Sequence, residues 1–308
     1  HKCPYCDFFS GNADENAFDN YVIELKDKIK YWSEKANRDV ATVYFGGGTP
    51  TTLSAEQLDT VLRTVNKSFD MSTCREFTVE AGRPDTIDIA KLFALKENKV
   101  DRISINPQTV NDEVLKTIGR KHTAQQFFDA FELARKCGFD NINTDLIAGL
   151  PTDTPESFKN SLDSIVRLNA ECITVHTLCM KRASRLTTEG VTLDLQQARD
   201  AREMLAYTQN ILGQNEYIPY YMYRQSRMVG NLENVGWSKK GFESLYNVYV
   251  MDETHTILAC GSGGVTKLKR NNPDYLERIF NFKYPYEYID RFDELIQRKS
   301  GIMQFYGQ

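Results

Sequence analysis

The sequence predicts an α/β fold, a partial (β/α)6 TIM-like barrel followed by a small C-terminal α+β appendage. Strand-like runs alternate with helix-like segments over residues 1–190, and glycine-rich or polar residues follow the runs. This alternation is typical of parallel strands that are connected by helices. Beyond Asp194 the alternation stops. We therefore place the barrel in residues 1–190, and in residues 191–308 an α+β region that covers the mouth where a substrate would enter.

Each predicted barrel strand is a short run rich in β-branched, aromatic or other apolar residues. These runs occupy residues 41–45, 76–81, 102–108, 141–148 and 172–179. The predicted helices repeat apolar residues at three- and four-residue spacing, and Ser54 with Gln57 forms a capping box at the start of one of them. The helices occupy residues 15–36, 54–69, 86–98, 112–119, 124–137 and 155–168.

The strand count indicates where chemistry would take place. Five strands are visible, and a first strand missing from the chain, before His1, would place residues 3–6 on the loop after it. In barrels of this kind the functional residues collect on loops at the carboxyl ends of the strands. An open doubly wound sheet is the alternative. The loop at residues 46–48 lacks a G-x-G-x-x-G pattern, which disfavours a dinucleotide site.

The appendage is predicted to mix helices and strands. A helix is expected over residues 195–213, and strands over 217–228, 246–251 and 256–260. A hairpin turn at residues 252–255 would join the last two strands, and a helical tail would follow over residues 284–298. No Pro/Ser-rich linker marks the boundary near residue 190, so we expect the two parts to pack together.

Composition excludes several classes of protein. The 308 residues are 41% hydrophobic and 26% charged, with a net charge of -4 and no long basic run, so no nucleic-acid partner is expected. No apolar run reaches the length of a membrane span, and we expect a cytoplasmic protein. The 7 cysteines are an odd number and are scattered, which indicates thiols in a reducing compartment and not a disulfide framework.

Cys3 and Cys6 have the spacing of paired metal ligands. Two such thiolates can sit on one tight turn and hold a zinc ion or an iron–sulfur centre, but a redox-active pair has the same spacing. A cluster needs at least one more thiolate, and the next cysteine is Cys74. The simplest completion is a further cysteine before His1.

Several motifs together resemble the radical S-adenosylmethionine (SAM) enzymes, and more narrowly the oxygen-independent coproporphyrinogen III oxidase group and its HemZ-type branch. The similarity is dense up to about residue 155 and thinner up to the loop at residues 261–264. The motifs are the Cys-Pro-Tyr-Cys turn at 3–6, Gly-Gly-Gly-Thr-Pro at 46–50, Ile-Ser-Ile-Asn-Pro-Gln at 103–108, Ile-Gly-Arg-Lys-His at 118–122 and Asn-Thr-Asp-Leu-Ile-Ala-Gly-Leu-Pro at 143–151.

The resemblance implies a [4Fe-4S] cluster and S-adenosyl-L-methionine as cofactors. Cys3 and Cys6 match the second and third cysteines of the family motif C-x-x-x-C-x-x-C and would bind the cluster as its metal ligands. The residues that would bind SAM are Tyr5, Gly46, Gly47, Gly48, Thr49, Glu80, Gln108, Arg120, Asp145, Gly149 and Cys179.

The implied roles differ along this set. Tyr5 would lie beside the adenine, Glu80 would bind ribose hydroxyls with Arg83 as its partner, and Arg120 would bind a carboxylate. Each residue type also has an ordinary alternative: Glu80 as a solvated turn residue, Arg120 as a charge at a helix C-terminus and Cys179 as a buried thiol. The sequence Asn106-Pro107-Gln108 departs from the Gly-Val-Gln of many family members, which puts the local backbone geometry in question.

A cationic rim would suit a substrate that carries several carboxylates. Lys181, Arg182 and Arg185 follow the last barrel strand and would face its mouth, although a solvated basic loop is an equal alternative. Aromatic side chains in the second half of the chain could pack against a tetrapyrrole or form ordinary core. These are Trp237, Tyr220, Tyr221 and Tyr223.

The function that the resemblance implies is oxidative decarboxylation of coproporphyrinogen III to protoporphyrinogen IX, with a porphyrinogen substrate and an electron donor such as a flavodoxin or ferredoxin. A heme-binding chaperone on the same scaffold is the main alternative, although the histidine of its typical His-Asn-x-x-Tyr-Trp segment is absent at residues 246–251. Another radical SAM reaction, such as heme ring opening with methyl transfer, and a structural zinc protein also stay open.

Overall fold

The computed structural model describes residues 3–6, 15–36, 39–180, 184, 195–271 and 274–305. Its strands form a seven-stranded sheet with the order β1-β2-β3-β4-β5-β7-β6 and a separate two-stranded sheet, β8-β9. The strands are β1 (Thr42–Phe45), β2 (Glu76–Gly82), β3 (Arg102–Ile105), β4 (Ile142–Ala148), β5 (Cys172–Thr177), β6 (Ile218–Tyr223), β7 (Asn234–Ser238), β8 (Val265–Asn271) and β9 (Asp274–Phe280).

Helices alternate with the strands of the large sheet, as the sequence predicts, and further helices precede and follow it. They are α1 (Glu15–Ala36), α2 (Ala55–Ser68), α3 (Ile89–Glu97), α4 (Asp112–Thr117), α5 (Ala124–Lys136), α6 (Pro155–Arg167), α7 (Leu195–Gln214), α8 (Leu245–Asp252), α9 (Pro285–Asp290) and α10 (Phe292–Phe305). Capping side chains determine where several of these helices begin. Capping boxes begin α2 at Ser54 and α5 at Thr123, and Thr154 caps α6 with proline at its first position.

The pairing of the strands confirms the partial barrel. Strands β2, β3, β4 and β5 pair in parallel in that order, and an antiparallel pair, β7 and then β6, extends the sheet beyond β5. The five predicted barrel strands all form, most of them shorter than predicted. No helix among the described residues is both long and apolar enough to cross a membrane.

The chain divides into two compact units. Unit one contains the described residues within 1–10, 44–52 and 76–244, and unit two those within 11–43, 53–75 and 245–308. Unit one includes most of the large sheet, and unit two includes α1, α2 and the β8-β9 hairpin. The functional division into a core of residues 1–190 and a covering region of residues 191–308 stays a prediction.

Side chains in the parallel part of unit one alternate between an apolar and a polar face. On β3, Ile103 and Ile105 are fully buried, whereas Ser104 between them accepts a hydrogen bond of 2.8 Å from the Asn143 amide on β4. On β4, Leu146 is fully buried, whereas Asn143 and Asp145 bond to each other. Since successive residues of a strand point to opposite faces, the inner face of the sheet is lined by hydrogen-bonded polar groups.

The predictions for residues 246–260 are wrong. Residues 246–251 lie within the helix α8, residues 252–255 form no hairpin turn, and residues 256–260 make one isolated bridge, from Ile257 to Lys267. The aromatic and β-branched residues of this segment favour a strand, but packing decides otherwise: Tyr249 accepts a hydrogen bond from Arg75 and stacks on His255 at 3.7 Å. The β8-β9 hairpin was not predicted, although Asn-Asn-Pro-Asp at 271–274 is a turn signal.

Unit two buries two lysine side chains. Lys28 is 0% exposed, and its Nζ atom lies 4.3 Å from the centre of the Tyr288 ring with no hydrogen-bond partner in the part of the chain that the structure describes. Burial, helped by the nearby charge of Lys299, lowers the pKa of Lys28 to about 7. Lys299 donates to the Ala259 carbonyl at 2.5 Å, and burial lowers its pKa to about 8. Charged ammonium groups therefore oppose folding here.

Lys28→Met should stabilise unit two most at low pH. The folded pKa of Lys28 lies below its unfolded value of 10.5, so its unfavourable contribution is complete below about pH 7 and disappears as the pH rises towards 10.5. We expect a gain of about 2 kcal/mol in the free energy of unfolding at pH 6, and a smaller gain at pH 9.5. Urea unfolding followed by tryptophan fluorescence measures the free energy of unfolding at both pH values.

Lys26→Met is the matched control on the same helix, because Lys26 is only half-buried. The control should change stability little at either pH. A Lys28→Met variant that is no more stable than the wild type at pH 6 would contradict the electrostatic account of this cluster.

Candidate functional site

The Cys-Pro-Tyr-Cys segment forms a tight turn. The Cys6 N–H donates to the Cys3 carbonyl at 3.0 Å, and both side chains are half-buried and reduced. Two thiols on one turn fit two ligand positions of an iron–sulfur cluster. The described residues contain no group of three or more His, Cys, Asp or Glu side chains that could hold a metal ion. The further cysteine expected before His1 therefore stays a prediction.

Tyr5 connects this turn to Arg120. Its ring packs against a buried apolar cluster that includes Leu115 and Leu150, and the Arg120 Nη2 atom donates to the Tyr5 hydroxyl at 3.4 Å. Burial raises the pKa of Tyr5, although the Arg120 charge opposes the shift. The buried Nε and Nη1 atoms of Arg120 have no hydrogen-bond partner among the described atoms. A buried guanidinium with two unused donors fits a carboxylate ligand.

The glycine loop after β1 requires glycine at its first position. A Cβ atom on Gly46 would lie 2.4 Å from Tyr44 Cε1 and 2.9 Å from Glu80 Oε1, which real side chains do not tolerate. Gly47 has a φ of 111°, and Gly47 and Gly48 are exposed, so their backbone groups are open to a ligand. Thr49 ends the loop, where its carbonyl accepts hydrogen bonds from the N–H and the hydroxyl of Thr52.

Glu80, near the end of β2, is a half-buried carboxyl group. It accepts hydrogen bonds from the Tyr44 hydroxyl and the Gly47 N–H. Burial raises the pKa of Glu80 to about 7, and the nearby charge of Asp145 adds to the shift while the two hydrogen bonds oppose it. The Arg83 Nε atom lies 3.6 Å from Asp85 Oδ1, and the pairing of Arg83 with Glu80 stays a prediction. Both the protonated and the ionised form of Glu80 are therefore populated near neutral pH.

Gln108 continues the line of β3 beyond its last residue. Its N–H donates to the Asp145 carbonyl, and its carbonyl accepts from the Ile147 N–H, both at 3.0 Å. Its φ is 72°, a conformation that costs a residue with a side chain about 1 kcal/mol or more. The two hydrogen bonds hold this strained backbone after Pro107, at the point where the sequence departs from the Gly-Val-Gln pattern. Gln108 is buried, and its backbone bond to Asp145 keeps it near the predicted site.

Asp145 on β4 is half-buried like Glu80, but its pKa shifts in the opposite direction. Burial alone would raise its pKa, but a hydrogen bond and the charge of His176, together with hydrogen bonds from Asn143 and Thr174, hold the pKa below its ordinary value. Asn143 Nδ2 lies 2.8 Å from Asp145 Oδ1. Asp145 is therefore ionised at neutral pH while Glu80 holds a proton part of the time, so the two carboxyl groups can play different roles.

Gly149 follows β4 and Cys179 follows β5 at the same edge of the sheet. Gly149 has a φ of 80°, and its N–H points to Met204 Sδ at 3.3 Å. Cys179 forms an isolated backbone bridge with Met228, and its thiol donates to the Ser226 carbonyl at 3.3 Å. Lys181, Arg182 and Arg185, the predicted substrate-binding rim, lie outside the described residues.

Tyr44 and His176 are site residues that the sequence does not indicate. Tyr44 precedes Gly46 by two residues, and His176 follows Thr174 by two residues on β5. The two-residue period of a strand places Tyr44 on the same face as Gly46 and His176 on the same face as Thr174. This two-residue period is the sequence signal that indicates on which face Tyr44 and His176 lie.

The aromatic residues of β6 and β7 are also placed by the structure. Tyr221 and Tyr223 stack with their rings 8° from parallel, and Tyr220 contacts Tyr221 edge-on. Gly236 on β7 lies directly beneath Tyr221: a Cβ atom there would be 1.8 Å from Tyr221 Cε1. Trp237 is 7% exposed. These residues line the antiparallel end of the sheet.

Known proteins with similar sequences and structures identify the family. The radical SAM superfamily profile matches residues 1–165. The chain is 39% identical over 309 residues to the oxygen-independent coproporphyrinogen-III oxidase-like protein HemZ of Bacillus subtilis, covering 98% of this chain and 62% of that protein. It is 33% identical to the heme chaperone HemW of Lactococcus lactis, covering 88% of this chain and 69% of the relative. The chain thus spans less than two thirds of the length of HemZ.

A solved structure supports the fold independently. Coproporphyrinogen III oxidase (HemN) from Escherichia coli, described as a radical SAM enzyme, superposes with a TM-score of 0.75 at 21% identity, covering 96% of this chain and 67% of that one. The superfamily uses a [4Fe-4S] cluster and SAM, and the paired thiols, the open glycine loop and the unused donors of Arg120 fit these groups. Since the family match covers more than half of its residues, the chain belongs to the radical SAM superfamily.

Proposed function

We propose that the protein is an oxygen-independent coproporphyrinogen III oxidase (coproporphyrinogen dehydrogenase) that depends on SAM. The observation that carries the SAM site is the buried Arg120 guanidinium, which has two unused donors and contacts the tyrosine of the Cys3–Cys6 turn. The substrate is inferred from the 39% identity to an oxidase-like relative. A porphyrinogen with several propionates would also suit the predicted basic rim.

Each part of the site has a proposed task. Cys3 and Cys6 bind the cluster, and the cluster with SAM supplies a carbon-centred radical that can take a hydrogen atom from an unactivated C–H bond. Arg120 binds the methionine carboxylate of SAM, and the backbone of residues 46–48 accepts from its amino group. The polar side chains at the strand ends, Glu80, Gln108 and Asp145, bind the ribose hydroxyls. Tyr5 and the backbone at Gly149 and Cys179 enclose the adenine.

The proposed reaction converts two propionate side chains to vinyl groups. A hydrogen atom leaves the β-carbon of a propionate, the bond to the carboxylate carbon breaks, and CO2 leaves together with one electron. A one-electron acceptor takes that electron, and a donor such as a flavodoxin or ferredoxin in the cytoplasm would supply the electron that the cluster held by Cys3 and Cys6 needs. The protein contributes binding, orientation and a barrel interior that keeps water and oxygen away from reactive species.

A heme chaperone is the second candidate, because the chain is 33% identical to a protein with that name over 69% of its length. Such a protein would bind heme in a fixed ratio and would not convert a porphyrinogen. Its scaffold and its SAM site could be the same, since a fold does not fix the substrate. Product analysis separates the two candidates.

The oxidase proposal predicts two products in one assay. We expect the full-length protein, with its cluster reconstituted and supplied anaerobically with SAM, a low-potential reductant and coproporphyrinogen III, to form 5′-deoxyadenosine and vinyl-bearing porphyrinogen. Mass spectrometry should find one 5′-deoxyadenosine for each CO2 released. Formation of 5′-deoxyadenosine without vinyl product would reject this substrate. Stoichiometric heme binding with neither product would favour the chaperone.

Arg120→Met tests the carboxylate site. We expect it to weaken binding of S-adenosylhomocysteine by about tenfold or more, because a charge-assisted contact is lost. Binding of 5′-methylthioadenosine, which has no carboxylate, should change little. Isothermal titration calorimetry on the cluster-loaded protein measures both affinities.

Arg167→Met, on the exposed end of α6, is the control for removing a guanidinium. It should leave both affinities unchanged. If Arg120→Met weakens the two ligands equally, Arg120 supports the fold of the site and does not bind the carboxylate.

A further inference from the structure

His176 connects strands on both sides of β5. Its Nε2 atom lies 3.5 Å from Asp145 Oδ2 on β4, and its Nδ1 atom lies 3.5 Å from the Tyr223 hydroxyl on β6. The side chain is 26% exposed and lies on the same face of the sheet as Asp145. One ring thus touches a predicted ribose-binding carboxylate and a tyrosine from the antiparallel end of the sheet.

The position of Asp145 is fixed from several directions. Asn143 donates to Asp145 Oδ1, and Asn143 is itself held by Ser104 at 2.8 Å and Thr174 at 3.1 Å. His176 contacts the other oxygen, Oδ2. A carboxylate held at both oxygens keeps one orientation, which a ligand with two neighbouring hydroxyl groups requires.

His176 is in turn supported by packing on β6 and β7. Tyr223 stacks on Tyr221 with ring centres 6.2 Å apart, and Tyr221 lies over Gly236, where a side chain would collide with it. Such an arrangement leaves Tyr223 little freedom to rotate. The Tyr223 hydroxyl therefore reaches the imidazole from a fixed place.

We propose that His176, supported by Tyr223, is a positioning residue that orients the Asp145 carboxylate towards the ribose hydroxyls of the bound nucleoside. This inference rests on the proposed role of Asp145 in SAM binding. His176 does not itself touch the nucleoside in this account. Its contribution should therefore appear only with ligands that carry the hydroxyls.

The test compares two ligands and several variants of the full-length, cluster-loaded protein. 5′-Methylthioadenosine carries both ribose hydroxyls, and its 2′,3′-dideoxy analogue carries neither. We expect His176→Ala to weaken binding of the first by about tenfold or more and to leave the affinity for the second unchanged. His176→Gln, whose amide can still donate to Asp145, should recover much of the loss.

Tyr223→Phe provides a second variant that keeps the stacked ring, and we expect a smaller loss with the same dependence on the hydroxyls. The matched control is His255→Ala, because His255 is exposed in unit two. Its affinities should equal those of the wild type.

The outcomes separate the inference from the proposed function. If the wild type binds neither 5′-methylthioadenosine nor S-adenosylhomocysteine, the proposed SAM site is wrong and the inference falls with it. If the wild type binds 5′-methylthioadenosine but His176→Ala and Tyr223→Phe bind both nucleosides as the wild type does, or lose both equally, the positioning role is wrong while the SAM site stands.

Discussion

The need to pair polar side chains on the inner face of the half-barrel is the constraint on which the rest of the structure depends. A buried polar group without a partner costs about 1–3 kcal/mol, and a buried charge costs more. Hydrogen bonds across the parallel strands satisfy these groups, and they run from Asn106 through Ser104 and Asn143 to Thr174. Asp145 joins that line through Asn143. The network fixes the strand ends at which the predicted ligands converge.

The same constraint separates two carboxyl groups that the sequence could not tell apart. Glu80 and Asp145 are both half-buried on the same face of the sheet, but Glu80 has a tyrosine and a backbone N–H as donors, whereas Asp145 has an amide, a hydroxyl and an imidazole. The pKa of Glu80 therefore rises to about 7 and that of Asp145 falls. Gly46 belongs to this arrangement, since only glycine leaves room for Tyr44 to reach Glu80.

The sequence predicted those parts of the fold that depend on local pattern. The strand and helix positions of the first 180 residues follow from the spacing of apolar residues and from the capping box of Ser54 and Gln57. Residues 246–260 were mispredicted because their β-branched and aromatic residues suit a strand, while contacts such as Arg75 with Tyr249 join residues far apart in sequence. The site was predicted mainly through its resemblance to a family. The strand period places His176 on the polar face, but its partners Asp145 and Tyr223 lie 31 and 47 residues away in the sequence, so the sequence does not indicate its role.

The central claim is that the ends of β1 to β4, with the Cys3–Cys6 turn, form one SAM site. Hydrogen exchange of backbone N–H groups tests this directly in the cluster-loaded, full-length protein with and without SAM. The account predicts that SAM slows exchange in residues 46–49, 80–83 and 106–109 and leaves exchange in the β8-β9 hairpin unchanged. Protection confined to other segments, with residues 46–49 exchanging as fast as before, would contradict the claim.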